Sequence, residues 1–395
     1  MLPLEARAEL APSAKAGLLK VVSLAEFAQS ALPLERLALD LRDVPAGHFS
    51  SDLLNLPWGA VLPSRGLRSP GEAPLVRLEG PPGVCKPGDV VELNPLQKKV
   101  AIRYRRGDTG NVLFATERCN SYCLMCSQPP RDVQDDWRVR HLLDLIDLID
   151  PGEPSLAISG GEPTLLGDGL VNVVAKCAHM LPNTHLHILS NGRLREPGLH
   201  AKFAGLHPNL SWGIPLYGDR YALHDYVVQS EGAFAQTLRG LYALEAAQQR
   251  VEIRVVLVKP TVERLVQLAR YIWRNLPFVE HVALMGIEPI GFAKAHQREL
   301  WADPADYGDV LSEAVGLLAE GGIPVSLYNL PLCALDRSLW PYAVQSISPW
   351  KNDYLPACDG CSVRQRCGGF FSWVTPAWTS RSISPILETG SCPTH

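Results

Sequence analysis

The sequence predicts an α/β protein: a parallel sheet, open or rolled into an incomplete barrel, with a small β-rich module before it and a loop-rich extension after it. Three observations carry this. Six short apolar runs alternate with helix-period segments between residues 111 and 286, which is the pattern of βα units. The sequence before them is rich in Pro and Gly, and the sequence after residue 322 is loop-like. The chain has 395 residues, ample for one large core with appendages. The expected organisation is therefore 1–108, 109–322 and 323–395.

In the first segment, Lys20–Leu32 predicts a short amphipathic helix. Val90–Leu93, a turn at Asn94-Pro95 and Val100–Tyr104 read as a strand pair. In the second, the strands are Asn111–Thr116, Ser155–Ser159, His185–Leu189, Leu210–Leu216, Val251–Val258 and His281–Gly286. The helices between them are Val133–Ile149, Leu165–Leu181, Ala233–Gln248 and Val262–Asn275. The third segment opens on a strand at Pro324–Tyr328. In parallel α/β folds the active site lies at the C-terminal strand ends, and the motifs below fall there.

Composition narrows the function. Apolar residues make up 46% and charged ones 20%, with a formal net charge of -4, which excludes a disordered chain, a collagen and a cationic nucleic-acid binder. The most apolar stretch, His141–Asp150, is broken by Asp144 and Asp147 and falls short of the ~20 residues a bilayer needs. Glu5, Arg7 and Glu9 stand where a signal peptide needs an apolar core. A soluble, cytoplasmic protein with no nucleic-acid or membrane partner is expected.

The ten cysteines are clustered. Cys119, Cys123 and Cys126 sit together. Cys358, Cys361 and Cys367 form a second group, with Cys333 upstream and Cys392 near the end; Cys85 and Cys177 stand alone. In a reducing compartment, clustered thiols read as metal or iron–sulfur ligands.

Cys119-x3-Cys123-x2-Cys126 follows the first strand on a loop. Three thiolates at this spacing can hold three irons of a [4Fe–4S] cube and leave the fourth iron open to a small molecule. The alternative is zinc, which needs a fourth ligand; the nearest, His141, lies inside a predicted helix. The second strand ends in Gly160-Gly161-Glu162-Pro163, whose glycines permit close backbone approach and whose carboxylate can accept hydrogen bonds from an ammonium group.

Together these two motifs resemble the radical S-adenosylmethionine (SAM) superfamily, over roughly residues 110–290. The resemblance implies a partial (β/α)6 barrel and a [4Fe–4S] cluster whose open iron chelates SAM, with Gly160, Gly161, Glu162 and Pro163 at the SAM amino group. Reductive cleavage would give methionine and a 5′-deoxyadenosyl radical that abstracts a substrate hydrogen, the electron coming from a donor such as flavodoxin or ferredoxin. Ser190-Asn191-Gly192 resembles the segment lining the SAM and substrate pocket, and Ile214–Gly218 with His224-Asp225 resembles the fourth-strand segment near the ribose. The chain departs from the pattern at Met125, where many relatives place an aromatic residue on the adenine. It departs again at Pro215, where many have Ser. Arg254 is a candidate for the SAM carboxylate, and His224 reads equally as an ordinary buried histidine.

Cys358-x2-Cys361-x5-Cys367 resembles part of the auxiliary-cluster extensions (SPASM or twitch) of peptide-modifying radical SAM enzymes. Phe371 stands where the full pattern has another Cys, so one auxiliary [4Fe–4S] cluster is expected rather than two. Cys333 is preferred over Cys392 as its fourth ligand, and zinc is the alternative. The flanks Thr116–Asn120 and Cys126–Pro130, with Leu332–Leu335 and Cys358–Phe371, resemble the His-Xaa-Ser system radical SAM maturase C. That likeness implies a ribosomally made precursor peptide as substrate and a second radical SAM maturase as partner. A radical SAM enzyme of small-molecule biosynthesis and a zinc-stabilised binding module are the competing readings.

Overall fold

Lys20-Val21-Val22 starts the segment read as a helix, and the structure, a computed structural model, corrects that reading. It describes residues 4–387 apart from 46, 65, 68–71, 81–82 and 194–197. Residues Gly17–Val22 form a strand, and only Leu24–Phe27 are helical. The β-branched pair prefers extended backbone, and neighbouring strands on both sides pair with it, outweighing the local helical period. Ser23 and Glu26 then start the short helix with a reciprocal capping box.

The chain groups into two compact units, neither of them a continuous stretch: Met1–Val112 with Arg140–Ser155 and Lys176–Thr184, and Leu113–Val139 with Leu156–Ala175 and His185–His395. The first unit contains a seven-stranded sheet. Its strands are β1 (Glu5–Leu10), β2 (Gly17–Val22), β3 (Leu37–Asp40), β4 (Ala60–Leu62), β5 (Val76–Glu79), β6 (Val90–Asn94) and β7 (Lys99–Tyr104), in the order β4-β3-β2-β6-β7-β1-β5. The expected strand pair is the antiparallel β6–β7 ladder. Val61 of β4 bridges to Leu75, just before β5, so the two sheet edges approach each other. Val21, Ala38, Ala60, Leu62, Val91, Leu93 and Val100 fill the core between them.

The second sheet holds β8 (Val112–Phe114), β9 (Ser155–Ser159), β10 (His185–Leu189), β11 (Leu210–Pro215), β12 (Arg250–Leu257), β13 (His281–Gly286), β14 (Val325–Tyr328) and β15 (Ala343–Val344), stacked in sequence order. From β10 to β15 every neighbouring pair is parallel. Helices Asp168–Met180, Ala233–Ala246, Leu265–Asn275 and Gly308–Glu320 lie between successive strands. The sheet curls into a partial barrel, as expected. Along β12, Val251, Ile253, Val255 and Leu257 are buried while Glu252, Arg254 and Val256 alternate with them. Val255, Val282 and Leu284 face Leu265, Leu268 and Leu318 of the outer helices, so the alternating set faces inward.

Two lone cysteines are ordinary core residues. Cys85 and Cys177 are fully buried, and burial pushes their thiols up to about 11 and about 12. Two histidines are also buried uncharged: His200, edge-on to Trp212, and His224, whose Nδ1 accepts the Tyr217 amide at 3.2 Å. Burial holds both at about 4, below the unfolded value near 6.5. Between those values the unfolded chain binds protons that the native chain refuses, so stability is complete above about pH 6.5 and falls as pH drops towards 4. Urea midpoints measured across that range should decline with acid, and His200→Gln should flatten the decline; an unchanged slope would contradict it.

Candidate functional site

The first three cysteines leave the C-terminal end of β8 on a loop with no regular structure of its own, so its shape depends on side chains. Buried Asp135 accepts from Thr116 Oγ1 at 2.8 Å and from the Glu117 amide at 2.7 Å, and pairs with Arg118 at 2.9 Å. Glu117 in turn holds Arg138 at 2.7 Å. This ties down the root of the loop. Its far end is held by the Phe292 amide, which donates to the Cys126 carbonyl at 2.9 Å.

Gly160 and Gly161 do structural work here. The Gly161 amide donates to Thr116 O at 2.7 Å and the Glu162 amide to Arg118 O at 2.8 Å. A Cβ on Gly160 would lie 2.4 Å from Thr116 O, and one on Gly161 would lie 2.0 Å from Arg118 O. Only glycine lets the two strand ends come this close. Pro163 follows at the start of a short 3-10 turn that Glu162 caps.

Glu162 is fully buried. Its Oε1 accepts from the Thr164 amide at 2.9 Å, Thr164 Oγ1 at 2.7 Å and Ser190 Oγ at 2.8 Å; its Oε2 accepts from the Asn191 amide at 2.6 Å. Burial pushes this carboxyl up, and those hydrogen bonds pull it back. The carboxylate therefore locks the end of β9 to the end of β10. Asn191 extends the lock to the cysteine loop: its Nδ2 donates to Asn120 Oδ1 at 2.5 Å and lies 3.9 Å from Cys119 Sγ.

Sequence reasoning missed Arg193. It is buried and donates to Asn120 O at 2.6 Å, Ser121 Oγ at 2.7 Å and Gln236 Oε1 at 2.9 Å. It is a fixed cation beside Cys119 and Cys123. The available signal was its place directly after Ser190-Asn191-Gly192. Two further charged groups were missed, Glu288 after β13 and Lys351 in the extension. Both are half-buried and influence each other, burial raising the acid and lowering the amine.

The three thiols are close enough to affect one another's ionisation. Burial drives Cys119 up to about 11 and Cys123 up to about 12, and raises Cys126 as well. Thiols so placed stay protonated at neutral pH unless a strongly cationic centre binds them, and this donor set fits an iron–sulfur cluster. Among the described residues, no three His, Cys, Asp or Glu side chains converge on a single-ion position. Met125 is buried in the apolar cluster around the loop, with Leu124, Tyr217, Ile287 and Trp378. Pro215 ends β11 beside Arg254 in register, and Arg254 pairs with Glu252 at 2.5 Å and reaches Met285 Sδ at 3.1 Å. His224 points its ring at the backbone of Tyr217, which satisfies the buried-histidine reading.

In the extension, Cys333 follows β14 on a short turn, and burial pushes its thiol up, with the nearby Cys367 and Cys358 adding to this. Burial likewise raises the Cys367 thiol, with Cys358 and Cys361 near enough to add to it. Cys333, Cys358, Cys361 and Cys367 thus share one neighbourhood. Backbone amides point at it: Leu332 and Gly369 donate to Cys367 Sγ at 3.3 and 3.4 Å, and Ile386 donates to Cys361 Sγ at 3.4 Å. Such N–H···S contacts suit thiolates that ligate a cluster. Cys392 lies outside the described residues.

A parallel partial barrel with a three-thiol loop at its C-terminal rim defines a class, and residues 113–292 match the model of that class, the Radical SAM superfamily. That match covers a little under half of the chain. No curated protein matches the chain in sequence. Among solved structures it is similar to SuiB from Streptococcus suis, at 16% identity over 55% of this chain and 48% of that one, with a TM-score of 0.43. It is similar also to anSMEcpe with bound AdoMet and Cp18Cys peptide, at 17% identity over 55% and 62%, with a TM-score of 0.43. A third is the coproporphyrinogen III oxidase HemN from Escherichia coli, at 15% identity over 52% and 51%, with a TM-score of 0.40. The chain spans about half the length of SuiB and HemN. No helix among the described residues is long and apolar enough to cross a membrane.

Proposed function

We propose that this protein is a radical SAM enzyme that modifies a ribosomally made peptide of the His-Xaa-Ser type, with one auxiliary [4Fe–4S] cluster in its extension. The observation that carries the first part is the pairing of the Cys119–Cys126 loop with Gly160–Pro163 inside a matched radical SAM domain. When bound, the cluster and SAM would supply a 5′-deoxyadenosyl radical that removes a substrate hydrogen atom.

The residues of the chain divide the remaining work. Cys119, Cys123 and Cys126 would ligate the first cluster. Gly160 and Gly161 bring the β9 end against the loop, and Glu162, Ser190 and Asn191 hold the adjoining strand end in place. Met125, Pro163, Pro215 and Arg254 would border SAM, Arg254 as the cation for its carboxylate. Arg193 keeps the loop fixed and adds positive charge next to the thiols. The peptide reading rests on the cysteine spacing of the extension, where Cys333, Cys358, Cys361 and Cys367 would hold the auxiliary cluster. A second radical SAM maturase and a flavodoxin or ferredoxin belong to the same reading.

Anaerobic incubation with SAM, reductant and a candidate His-Xaa-Ser peptide, followed by mass spectrometry, tests it. A mass change on the peptide supports the reading; 5′-deoxyadenosine without peptide modification would turn it towards a small-molecule substrate. Two complete clusters give about eight irons per chain. Cys333→Ala should lower that content by the auxiliary share while Cys392→Ala leaves it nearly unchanged; the reverse result would reassign the fourth ligand.

A further inference from the structure

The inner face of the partial barrel is not filled with the branched apolar side chains typical of α/β barrels. From β10 to β14 it carries a line of polar groups, hydrogen-bonded except between His187 and Glu252. His185 Nε2 and His187 Nδ1 each meet Ser211 Oγ at 2.8 Å. His187 Nε2 faces Glu252 Oε1 at 3.7 Å, and His281 Nδ1 meets Glu252 Oε2 at 2.7 Å. On its other side His281 Nε2 meets Ser326 Oγ at 2.9 Å, and Tyr328, two residues further along β14, lies on the same face of the strand.

The middle strand is shaped to let this line pass. Between Ser211 and Pro215, β11 presents Gly213, where a Cβ would lie 2.7 Å from His187 Nε2 and 2.8 Å from Arg254 Cδ. Without a side chain there, groups from β10 and β12 meet across β11. The registers give the line a direction: Gly213 is level with Glu252, Glu252 with His281, Ala283 with Ser326 and Met285 with Tyr328. It climbs from His185, the first residue of β10, to Tyr328, the last of β14. That upper end is the C-terminal rim, the rim from which the cysteine loop departs.

We propose that this line is a proton path through the barrel interior, from the C-terminal rim to the N-terminal mouth, serving a substrate that gives up a proton from an N–H, O–H or S–H group. It rests on the radical SAM reading above and narrows its substrate class. The proton leaves the substrate heteroatom, which keeps the electron pair. It passes by hydroxyl exchange through Tyr328 and Ser326 to His281 Nε2. The imidazolium so formed stands against the Glu252 carboxylate, the arrangement by which a histidine–carboxylate pair stabilises a transferred proton. From there the proton crosses to His187, which must close its 3.7 Å separation from Glu252, and Ser211 leads on to His185.

The surrounding charges suit this. The titratable and charged groups facing the His281–Glu252 pair are His185 and His187 on β10, Arg254 on β12 and Tyr328 on β14, while Arg250 acts on His185 and pairs with Glu280. Burial would raise the Glu252 carboxyl, but the His281 hydrogen bond and the Arg254 and His187 charges outweigh it and hold it at about 2. Burial keeps His187 at about 4. At neutral pH the carboxylate is charged and His187 is neutral, so neither group keeps a passing proton.

The test uses the full chain and three small changes: Glu252→Gln, Ser326→Ala and Tyr328→Phe. The first readout needs no cofactor. Imidazole titrations followed by nitrogen-15 NMR should show His187 moving by about one pH unit or more in Glu252→Gln; an unmoved His187 overturns the path. The second is product formed per 5′-deoxyadenosine released, measured across pH. Ser326→Ala should lower that ratio about tenfold or more and alter its pH profile, with Tyr328→Phe acting in the same direction. An unchanged ratio and profile in both, even with a lowered melting temperature, overturns the path in favour of a structural network. Absence of 5′-deoxyadenosine from the wild-type reaction would sink the radical reading instead, and the imidazole titrations would then decide the path alone.

Discussion

Replacing Cys119, Cys123 and Cys126 together by Ala is expected to abolish release of 5′-deoxyadenosine from SAM under reducing, anaerobic conditions. The three thiols are the only cysteines on the loop that leaves β8, and a cluster without its protein ligands does not stay bound. Loss of fold is not the expected cause. The loop's shape is held by Asp135 on Thr116 and Glu117, and by Arg193 on Asn120 and Ser121, and none of these contacts uses a sulfur. The variant should therefore keep its circular dichroism and urea midpoint while losing iron and turnover together. Release of 5′-deoxyadenosine that survives the triple replacement would end the radical SAM assignment.

Gly161→Ala should be the most damaging single-methyl change in the site. The added Cβ would sit 2.0 Å from the Arg118 carbonyl oxygen, which is backbone and cannot swing aside as a flexible side chain would. Either the end of β9 or the root of the cysteine loop must shift. Overpacking of this kind costs about 1–3 kcal/mol. Because the displaced carbonyl belongs to the residue before Cys119, the loss should appear in reconstituted iron content as well as in the urea midpoint. Gly316→Ala is the control. It lies inside helix Gly308–Glu320 with nothing within 4 Å of its Cβ position, so it should leave iron content alone and stabilise by about 0.5–1 kcal/mol. Equal effects from the two substitutions would show that close backbone approach is not what Gly161 provides.

Much of the barrel and its rim is legible in the sequence because both are local in origin. The strands at Ser155–Ser159, His185–Leu189 and His281–Gly286 coincide with their expected bounds, since period-2 apolar runs between turn residues carry their own signal. The cysteine spacing and Gly160–Pro163 are readable for the same reason: ligand spacing and tight turns need particular residues at fixed offsets. Lys20–Leu32 shows the opposite case. Its helical period is real over Leu24–Phe27, but Gly17–Val22 is claimed by two other strands, β3 shortly after it and β6 about 70 residues on.

The sequence alone determined the parallel α/β architecture, the two thiol groups and the glycine pair, because each is written in residue type and spacing. Only the tertiary structure decided what the remaining polar residues do. Glu162 reads in sequence as a free carboxylate, yet folding surrounds it with Thr164, Ser190 and Asn191, since the ends of β9 and β10 meet there. Arg193 looks like any surface arginine until the cysteine loop closes over it. His187, Glu252 and His281 are 65 and 29 residues apart in order and carry no motif. They become neighbours because parallel strands in register set their inward positions side by side, with Gly213 leaving the space between them.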